Sequence, residues 1–404
     1  MIARRITIVG ASLAGLRTAE TLRDRGFDGA LTLLGEEPHR PYDRPPLSKQ
    51  VLQGTWEPEQ AFFRRKDGYD SLALDMRLGV RATAVDLRAG RVTLADGTSA
   101  DYDRLIIATG ARARTLPGIA PRPGLLVLRS LDDALVLRDA LTRATRVAIV
   151  GAGFIGLEVA ASCHARGVPV TVVEALPIPL APILGPMLGG MVADMHRDHG
   201  ADLRTGVTVT DVYGESGVDG VALSDGSRVE ADVVLVGIGV VPNTEWLDGS
   251  GLALDNGIVC NGFGEAAPNV YAVGDVARVA NRWHGDSPRI EHWSNAVEQA
   301  VHAAGHVLAG PGAGAADTLF SSVPYFWSDQ YDRKFQFIGR ARPHDEVLVV
   351  DGSVAERRLT ALFRRGDRLV ACLAVNQPRA LVKYRKLLAG HASWDTAVSG
   401  PTVP

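Results

Sequence analysis

The sequence predicts an α/β chain with two doubly wound domains, one inserted in the other, and a small α+β domain at the C-terminal end. Three observations carry that prediction. A glycine turn behind a short apolar run occurs twice, in Ile6-Thr7-Ile8-Val9-Gly10-Ala11-Ser12-Leu13-Ala14-Gly15 and in Val147-Ala148-Ile149-Val150-Gly151-Ala152-Gly153-Phe154-Ile155-Gly156. Each copy leads through an Ala/Leu-rich helical stretch to a second apolar run that ends on a carboxylate, Glu36 or Glu174. Beyond about residue 319 the pattern changes to short alternating strands and one basic helix.

Taken in order, Ile6–Val9 reads as a buried parallel strand. Gly10 makes a tight turn, the second glycine position lets a diphosphate approach the backbone, and Gly15 packs helix against strand. The helix that follows offers free N–H groups and partial positive charge to that diphosphate. Leu31-Thr32-Leu33-Leu34 then delivers Glu36 to the ribose hydroxyls. Ser12 replaces the second glycine, and its small side chain keeps the approach open. In the second copy Gly151, Gly153 and Gly156 take the three roles, and Val170-Thr171-Val172-Val173 delivers Glu174. Two Rossmann-like units in register imply two nucleotide cofactors, with a hydride passed between their redox rings.

The organisation is nested. Residues 1–110 hold the first motif and end on Tyr102-Asp103-Arg104-Leu105-Ile106-Ile107, a strand running into Ala108-Thr109-Gly110. Residues 111–239 hold the second and end similarly, on Ala231-Asp232-Val233-Val234-Leu235-Val236-Gly237-Ile238-Gly239 followed by Val240-Val241-Pro242-Asn243, an echo that suggests an internal repeat. Each half carries an Asp-Gly hairpin before its last strand, at Asp96-Gly97 and Asp225-Gly226. Residues 240–318 return to complete the first domain, through Asn269-Val270-Tyr271-Ala272-Val273-Gly274-Asp275 and a helix from about Ser294 to Leu308. Gly310 to Ala316 reads as a flexible linker. Residues 319–404 form the α+β domain, with strands at 335–338, 346–350 and 369–373 and a helix near 378–390.

Composition bounds the rest. The chain has 404 residues, 46% hydrophobic and 22% charged, with net charge −3. That balance suits several globular domains and gives nucleic-acid binding no electrostatic support. No apolar stretch is long and charge-free enough to span a bilayer. Arg4 and Arg5 precede a strand where a signal peptide would need an apolar run, so a cytoplasmic location is expected. The three cysteines, Cys163, Cys260 and Cys372, form no CxxC or CxxxxC pair. A redox-active dithiol is therefore excluded, and each cysteine is expected to be a small buried hydrophobe. No metal site is expected. His196 and His199 read as part of a mixed-charge solvated helix face, His302 and His306 as ordinary helix packing.

The chain resembles the FAD-dependent, NADH-using ferredoxin reductases of bacterial cytochrome P450 and ring-hydroxylating oxygenase systems. These putidaredoxin-reductase-like and rubredoxin-reductase-like flavoproteins belong to the glutathione-reductase superfamily. The carriers are Arg44-Pro45-Pro46-Leu47-Ser48-Lys49, Ala108-Thr109-Gly110, Gly153-Phe154-Ile155-Gly156-Leu157-Glu158, Val273-Gly274-Asp275, Asn295-Ala296-Val297-Glu298-Gln299-Ala300 and Phe326-Trp327-Ser328-Asp329-Gln330-Tyr331. The resemblance implies an FAD domain, an inserted NADH domain and a C-terminal domain. It gives the FAD pyrophosphate to the first motif (Gly10, Ser12, Leu13, Ala14, Gly15) and the adenosine ribose to Glu36. Gly274 and Asp275 reach the ribityl or pyrophosphate end, and Arg44, Arg129 and the Ala108-Thr109-Gly110 turn join the FAD set. Ala82 offers its backbone to adenine and Trp293 its backbone to the pyrimidine edge of the flavin.

Chemistry is expected of four side chains. Lys49 lies near flavin N5, where a cation favours the reduced, anionic ring. Glu158 keeps that lysine charged and orients the carboxamide. Phe154 covers the flavin until nicotinamide displaces it, and Trp327 lies at the edge that meets the partner; ordinary packing is the alternative for both aromatics. Gly151, Gly153, Gly156, Glu174 and Gly239 form the nicotinamide-cofactor set. No Lys or Arg occurs from Ala175 to Leu180, so NADH is expected over NADPH. With no dithiol, electrons leave the flavin directly for an acidic [2Fe–2S] ferredoxin that serves a cytochrome P450 or Rieske oxygenase. Arg333, Lys334, Arg379, Lys383, Arg385 and Lys386 are candidates for a basic docking face. The alternatives are a flavin-only NADH oxidase and a rubredoxin reductase. A monomer or weak homodimer is expected.

Overall fold

Parallel strands made of Val, Ile and Leu runs need cover on both faces, and two such sheets organise the chain. The computed structural model describes residues 3–63, 68–309 and 318–399. It divides into two units, Met1–Asp43 with Phe62–Arg112 and Val241–Pro324, and Arg44–Ala61 with Ala113–Val240 and Tyr325–Pro404. The Gly310–Ala316 stretch lies outside the described residues.

The first unit is built on a six-stranded sheet. Its order is Glu265–Ala267, Val270–Ala272, Arg104–Ile107, Arg5–Val9, Ala30–Gly35 and Leu74–Leu78. All neighbours are parallel except the first pair. Ile8, Leu33 and Ile106 are wholly buried at its centre. The helices Leu13–Asp24 and Trp293–Ala309 pack on each other, the first burying Leu16, Ala19 and Leu22. The expected hairpin forms a small antiparallel sheet of Ala82–Asp86, Arg91–Leu94 and Ser99–Asp101.

The second unit holds two five-stranded sheets over one continuous core. The first is parallel, ordered Asp202–Thr205, Val170–Glu174, Val147–Val150, Val233–Val236 and Leu125–Val127. The second is antiparallel, ordered Tyr325–Gln330, Arg333–Gly339, Arg368–Val375, Arg358–Arg365 and Glu346–Ser353. Ile149, Leu157 and Val172 belong to the same apolar cluster as Phe335, Phe337 and Leu373. The helix Phe154–Ala165 runs between these layers and buries every residue from Gly156 to Cys163. A helix apolar on all sides requires that cover.

Two local features were not anticipated from the sequence. The helix Ala181–Asp198 is interrupted at Gly185 (φ 77°, ψ 164°), immediately before Pro186. Proline offers no N–H to the preceding turn, and glycine alone adopts that backbone without strain. The helix Leu131–Arg143 begins in a reciprocal cap, with the Asp133 N–H on Ser130 Oγ and the Ser130 N–H on the Asp133 carboxylate.

Candidate functional site

Both glycine motifs fold as the spacing demands. Gly10 has φ +118°, and a Cβ there would sit 2.1 Å from the Ala108 carbonyl oxygen. Gly151 has φ +106°, with the Gly237 carbonyl oxygen 2.4 Å from the same position. At Gly15 and Gly156 a Cβ would strike the carbonyl oxygens of Gly10 and Gly151, at 1.9 and 2.2 Å. These four glycines are obligatory for close packing. Gly153 differs, because a Cβ there meets nothing within 4 Å. That open side, at the N-terminus of the helix Phe154–Ala165, is the space a diphosphate needs. Ser12 stands at the corresponding place with φ −105° and ψ −161°, and Gly153 with φ −73° and ψ 174°. Both are extended backbone, which explains why serine substitutes freely there.

The strand ends deliver the two carboxylates differently. Glu36 is exposed, 3.8 Å from Arg81. Glu174 accepts hydrogen bonds from the backbone N–H groups of Ala152 (2.7 Å) and Leu176 (2.8 Å), which hold it over the glycine turn.

In the first unit Asn243 clamps the Ala108-Thr109-Gly110 turn. Its side-chain amide donates to the Thr109 carbonyl at 2.9 Å, its N–H donates to the Gly110 carbonyl, and its carbonyl accepts from Thr109 Oγ1. The sequence shows Asn243 only as the end of an internal echo. Gly274, at φ +76°, donates its N–H to Gln299 Oε1 at 2.8 Å, which ties the turn before Asp275 to the helix Trp293–Ala309. Trp293 opens that helix and donates Nε1–H to Asp43 at 2.8 Å. Ala82 is buried at the start of its strand. His292, beside Asp275, is pushed down to about 4 by burial.

In the second unit the Ser130–Asp133 cap also fixes Arg129, whose N–H donates to Asp133 and whose carbonyl accepts from Arg44 at 2.5 Å. The centre of the unit is the buried ion pair Lys49–Glu158, 2.8 Å apart. Glu158 is 3% exposed and Lys49 8%. The short helical turn Pro45–Ser48 positions Ser48 and Lys49. Glu158 Oε2 accepts from both, and Oε1 accepts from Ser328 Oγ at 2.7 Å and the Asp329 N–H at 3.3 Å. Four donors on one carboxylate satisfy it fully. A cavity of about 450 Å³ opens against this pair, walled also by Gln50, Gln53, His164, His199 and Tyr331. Phe154 meets Phe326 edge-on with ring centroids 4.8 Å apart, and Trp327 stacks beside Tyr325.

Sequence reasoning misplaced one residue. His196 was expected on a solvated face with His199. Instead it is wholly buried, bonded to Gln330 at 3.0 Å and to Tyr331 at 3.1 Å. Its helix turns its Met191–Val192–Met195 side inward, and His196 lies on that side while Asp194, Arg197 and Asp198 face out. Burial pushes its imidazole down to about 4. His302 and His306 do pack within their helix, ring centroids 4.7 Å apart, as expected.

Residues 4–300 match the pyridine nucleotide-disulphide oxidoreductase family, and residues 325–401 match the reductase C-terminal family. The chain belongs to the pyridine nucleotide-disulphide oxidoreductase family. This oxidoreductase is 38% identical to rhodocoxin reductase of Rhodococcus erythropolis, over 95% of its own length and 89% of the relative's. It is also 38% identical to the ferredoxin–NAD(+) reductase component of the anthranilate 1,2-dioxygenase system of Burkholderia cepacia, over 100% and 98% of the two chains. The crystal structure of the covalent putidaredoxin reductase–putidaredoxin complex superposes with TM-score 0.92 at 33% identity, covering 99% of this chain and 97% of that one. Its fold is thereby the expected mixed α/β arrangement with a C-terminal antiparallel sheet. The oxidoreductase has none of the dithiol in its family's name. Cys163, Cys260 and Cys372 are free and buried, and burial pushes each thiol up to about 12. No helix among the described residues is long and apolar enough to cross a membrane.

Proposed function

We propose that this oxidoreductase takes a hydride from NADH onto FAD and releases the electrons singly to a [2Fe–2S] ferredoxin serving a cytochrome P450 or a Rieske oxygenase. The observation that carries the reading is the buried Lys49–Glu158 pair, with Glu158 held on the same helix whose N-terminus carries Gly153. That helix binds at one end and places charge one turn further in. The open side of Gly153 and the two cationic side chains Arg44 and Lys49 fit anionic cofactors. FAD is a two-electron acceptor that releases electrons one at a time, which suits an iron–sulfur partner in a chain without a dithiol.

In this assignment Gly10, Ser12, Leu13, Ala14, Gly15, Glu36, Ala82, Gly274, Asp275 and Trp293 of the first unit hold FAD, with the Thr109 turn clamped by Asn243. Arg44, Lys49 and Arg129 are assigned to FAD as well. Gly151, Gly153, Gly156, Glu174 and Gly239 bind NADH. Lys49 supplies positive charge to the reacting ring, Glu158 orients Lys49 and the carboxamide, and Phe154 would cover the flavin until nicotinamide displaces it. Support for the ferredoxin comes from the relatives named above, among them the ferredoxin–NAD(+) reductase component of a dioxygenase system and the reductase of the covalent putidaredoxin complex. The cytoplasm is the location that suits three unpaired thiols.

The test is NADH-driven reduction of a panel of [2Fe–2S] ferredoxins, read through cytochrome c. Fast reduction with at least one ferredoxin is expected. Oxygen uptake that no ferredoxin suppresses would show an oxidase instead.

A further inference from the structure

Behind the Lys49–Glu158 pair runs a buried line of hydrogen bonds that the proposed function does not use. Ser328 Oγ donates to Glu158 Oε1 at 2.7 Å, and Gln330 Nε2 donates to Ser328 Oγ at 3.1 Å. Gln330 Oε1 faces His196 Nε2 at 3.0 Å, and His196 Nδ1 faces the Tyr331 hydroxyl at 3.1 Å. Ser328, Gln330 and His196 have no exposed surface.

The direction of every proton follows from the carboxylate end. An ionised carboxylate only accepts, so the single hydroxyl proton of Ser328 points at Glu158. Ser328 therefore accepts from Gln330, whose amide must turn its oxygen to His196. Nε2 of His196 then carries the ring proton. Burial keeps His196 neutral through the ordinary pH range, so Nδ1 has only a lone pair and accepts from Tyr331. Burial likewise raises the Tyr331 phenol, which remains a donor. Tyr331 is braced in turn, stacked on His199 at 3.7 Å between ring centroids and met edge-on by His164. Four donors thus point one way, from the cavity wall to Glu158, and such chains polarise one another.

We propose that Tyr331, His196 and Gln330 are positioning residues for Glu158, a one-way chain of donors that holds its carboxylate in the conformation that pairs with Lys49. The kinetic consequence rests on the function proposed above, whereas the geometric one does not.

The first two tests therefore use protein stripped of cofactor. Long-range ¹H–¹⁵N NMR should show His196 as the neutral Nε2–H tautomer, and Tyr331→Phe should shift only its Nδ1 resonance strongly. An Nδ1–H tautomer reverses the chain and overturns the proposal. Reductive methylation of Lys49, followed by peptide mass, should run about threefold or more faster in Gln330→Met, because a misaimed carboxylate no longer covers the ammonium. An unchanged rate overturns it. In the flavin-loaded protein, Gln330→Met and His196→Leu should slow flavin reduction by NADH about tenfold while the NADH Kd stays within about twofold. His196→Gln can donate to Gln330 and accept from Tyr331, and should keep the rate within about twofold of the parent. Equal loss in His196→Gln and His196→Leu would reduce His196 to packing. If His196→Leu does not fold, Tyr331→Phe, which removes one exposed-side hydroxyl, takes its place with a smaller loss expected and no loss counting against the chain.

Discussion

In the proposed function Glu174 sets the choice of nicotinamide cofactor through what surrounds it. Its carboxylate is held by two backbone N–H groups, from Ala152 and Leu176, and pairs with no cation among the described residues. Ribose hydroxyls can donate to the same oxygens, whereas a 2′-phosphate brings two negative charges against one. Loss of more than about 1.4 kcal/mol follows, a tenfold or greater preference for NADH in kcat/KM. Equal kcat/KM with NADPH in a steady-state assay would contradict this. A second residue, His196, ties stability to pH. Its folded pKa is about 4 against an ordinary value of 6.5. Between those values the unfolded chain binds a proton that the fold refuses, so stability is complete above about pH 6.5 and declines as pH falls towards 4. At about pH 4.5 the loss from this one group is on the order of 2–3 kcal/mol. His196→Gln cannot titrate. Urea unfolding of the cofactor-free parent and variant at pH 7.0 and 4.5 should therefore show the parent losing on the order of 2–3 kcal/mol more than the variant. Parallel losses would mean that His196 is already charged in the fold.

At the scale of elements, the proposed function has the helix Phe154–Ala165 couple binding to chemistry, and the glycine that caps it and the glycine within it separate the contributions. A methyl at Gly156 would lie 2.2 Å from the Gly151 carbonyl oxygen, backbone that cannot move aside. Gly156→Ala should shift the helix off its strand, lower Tm by several degrees and abolish NADH binding. A methyl at Gly153 meets no protein atom. Gly153→Ala should leave Tm within about 2 °C and raise the NADH KM about tenfold or more, because it occupies only the diphosphate's space. Melting curves and KM values read together distinguish the two. The same helix shows what was legible in the sequence. Its glycines, its carboxylate and the strands on either side follow from local spacing, because chain geometry within one βαβ unit is short-ranged. Lys49–Glu158 was legible only through resemblance, since over a hundred residues separate the partners. His196 was misread because its neighbours Asp194, Arg197 and Asp198 are charged. One buried position on an amphipathic helix shares its sequence window with exposed ones, and only the sheet carrying Gln330 and Tyr331 determines which side it takes. Asn243 was missed for a similar reason: its partners, Thr109 and Gly110, come from a strand end far away in the chain. The break at Gly185-Pro186 was readable in principle, from the two residues that most disfavour a helix interior.

At the scale of the whole molecule, charge poses a problem for electron transfer. The chain carries net charge −3 and its proposed partner is acidic, so the overall field opposes encounter. Local arrangement must outweigh it. The helix Pro378–Ala389 packs on its sheet through Tyr384 and Leu388 and turns Arg379, Val382, Lys383 and Lys386 to the outside. Their spacing of three, four and seven residues is that of one helix face. Val382 at its centre is 77% exposed, an apolar spot ringed by cations with Arg385 alongside. Arg333 and Lys334, the other candidates, are partly neutralised by Asp332 and Asp329 at 2.6 and 3.8 Å. The helix is therefore the stronger half of the basic face. A rim of exposed charge acts mainly on association rate and is screened by salt. Charge reversal of Lys383 and Arg385 to Glu should lower kcat/KM for ferredoxin about tenfold at low ionic strength, with the difference shrinking as salt rises. The rate of flavin reduction by NADH should stay unchanged, which separates docking from chemistry. An identical ferredoxin rate in the variant at low salt would remove this helix from the interface and leave the edge near Trp327 as the place to look.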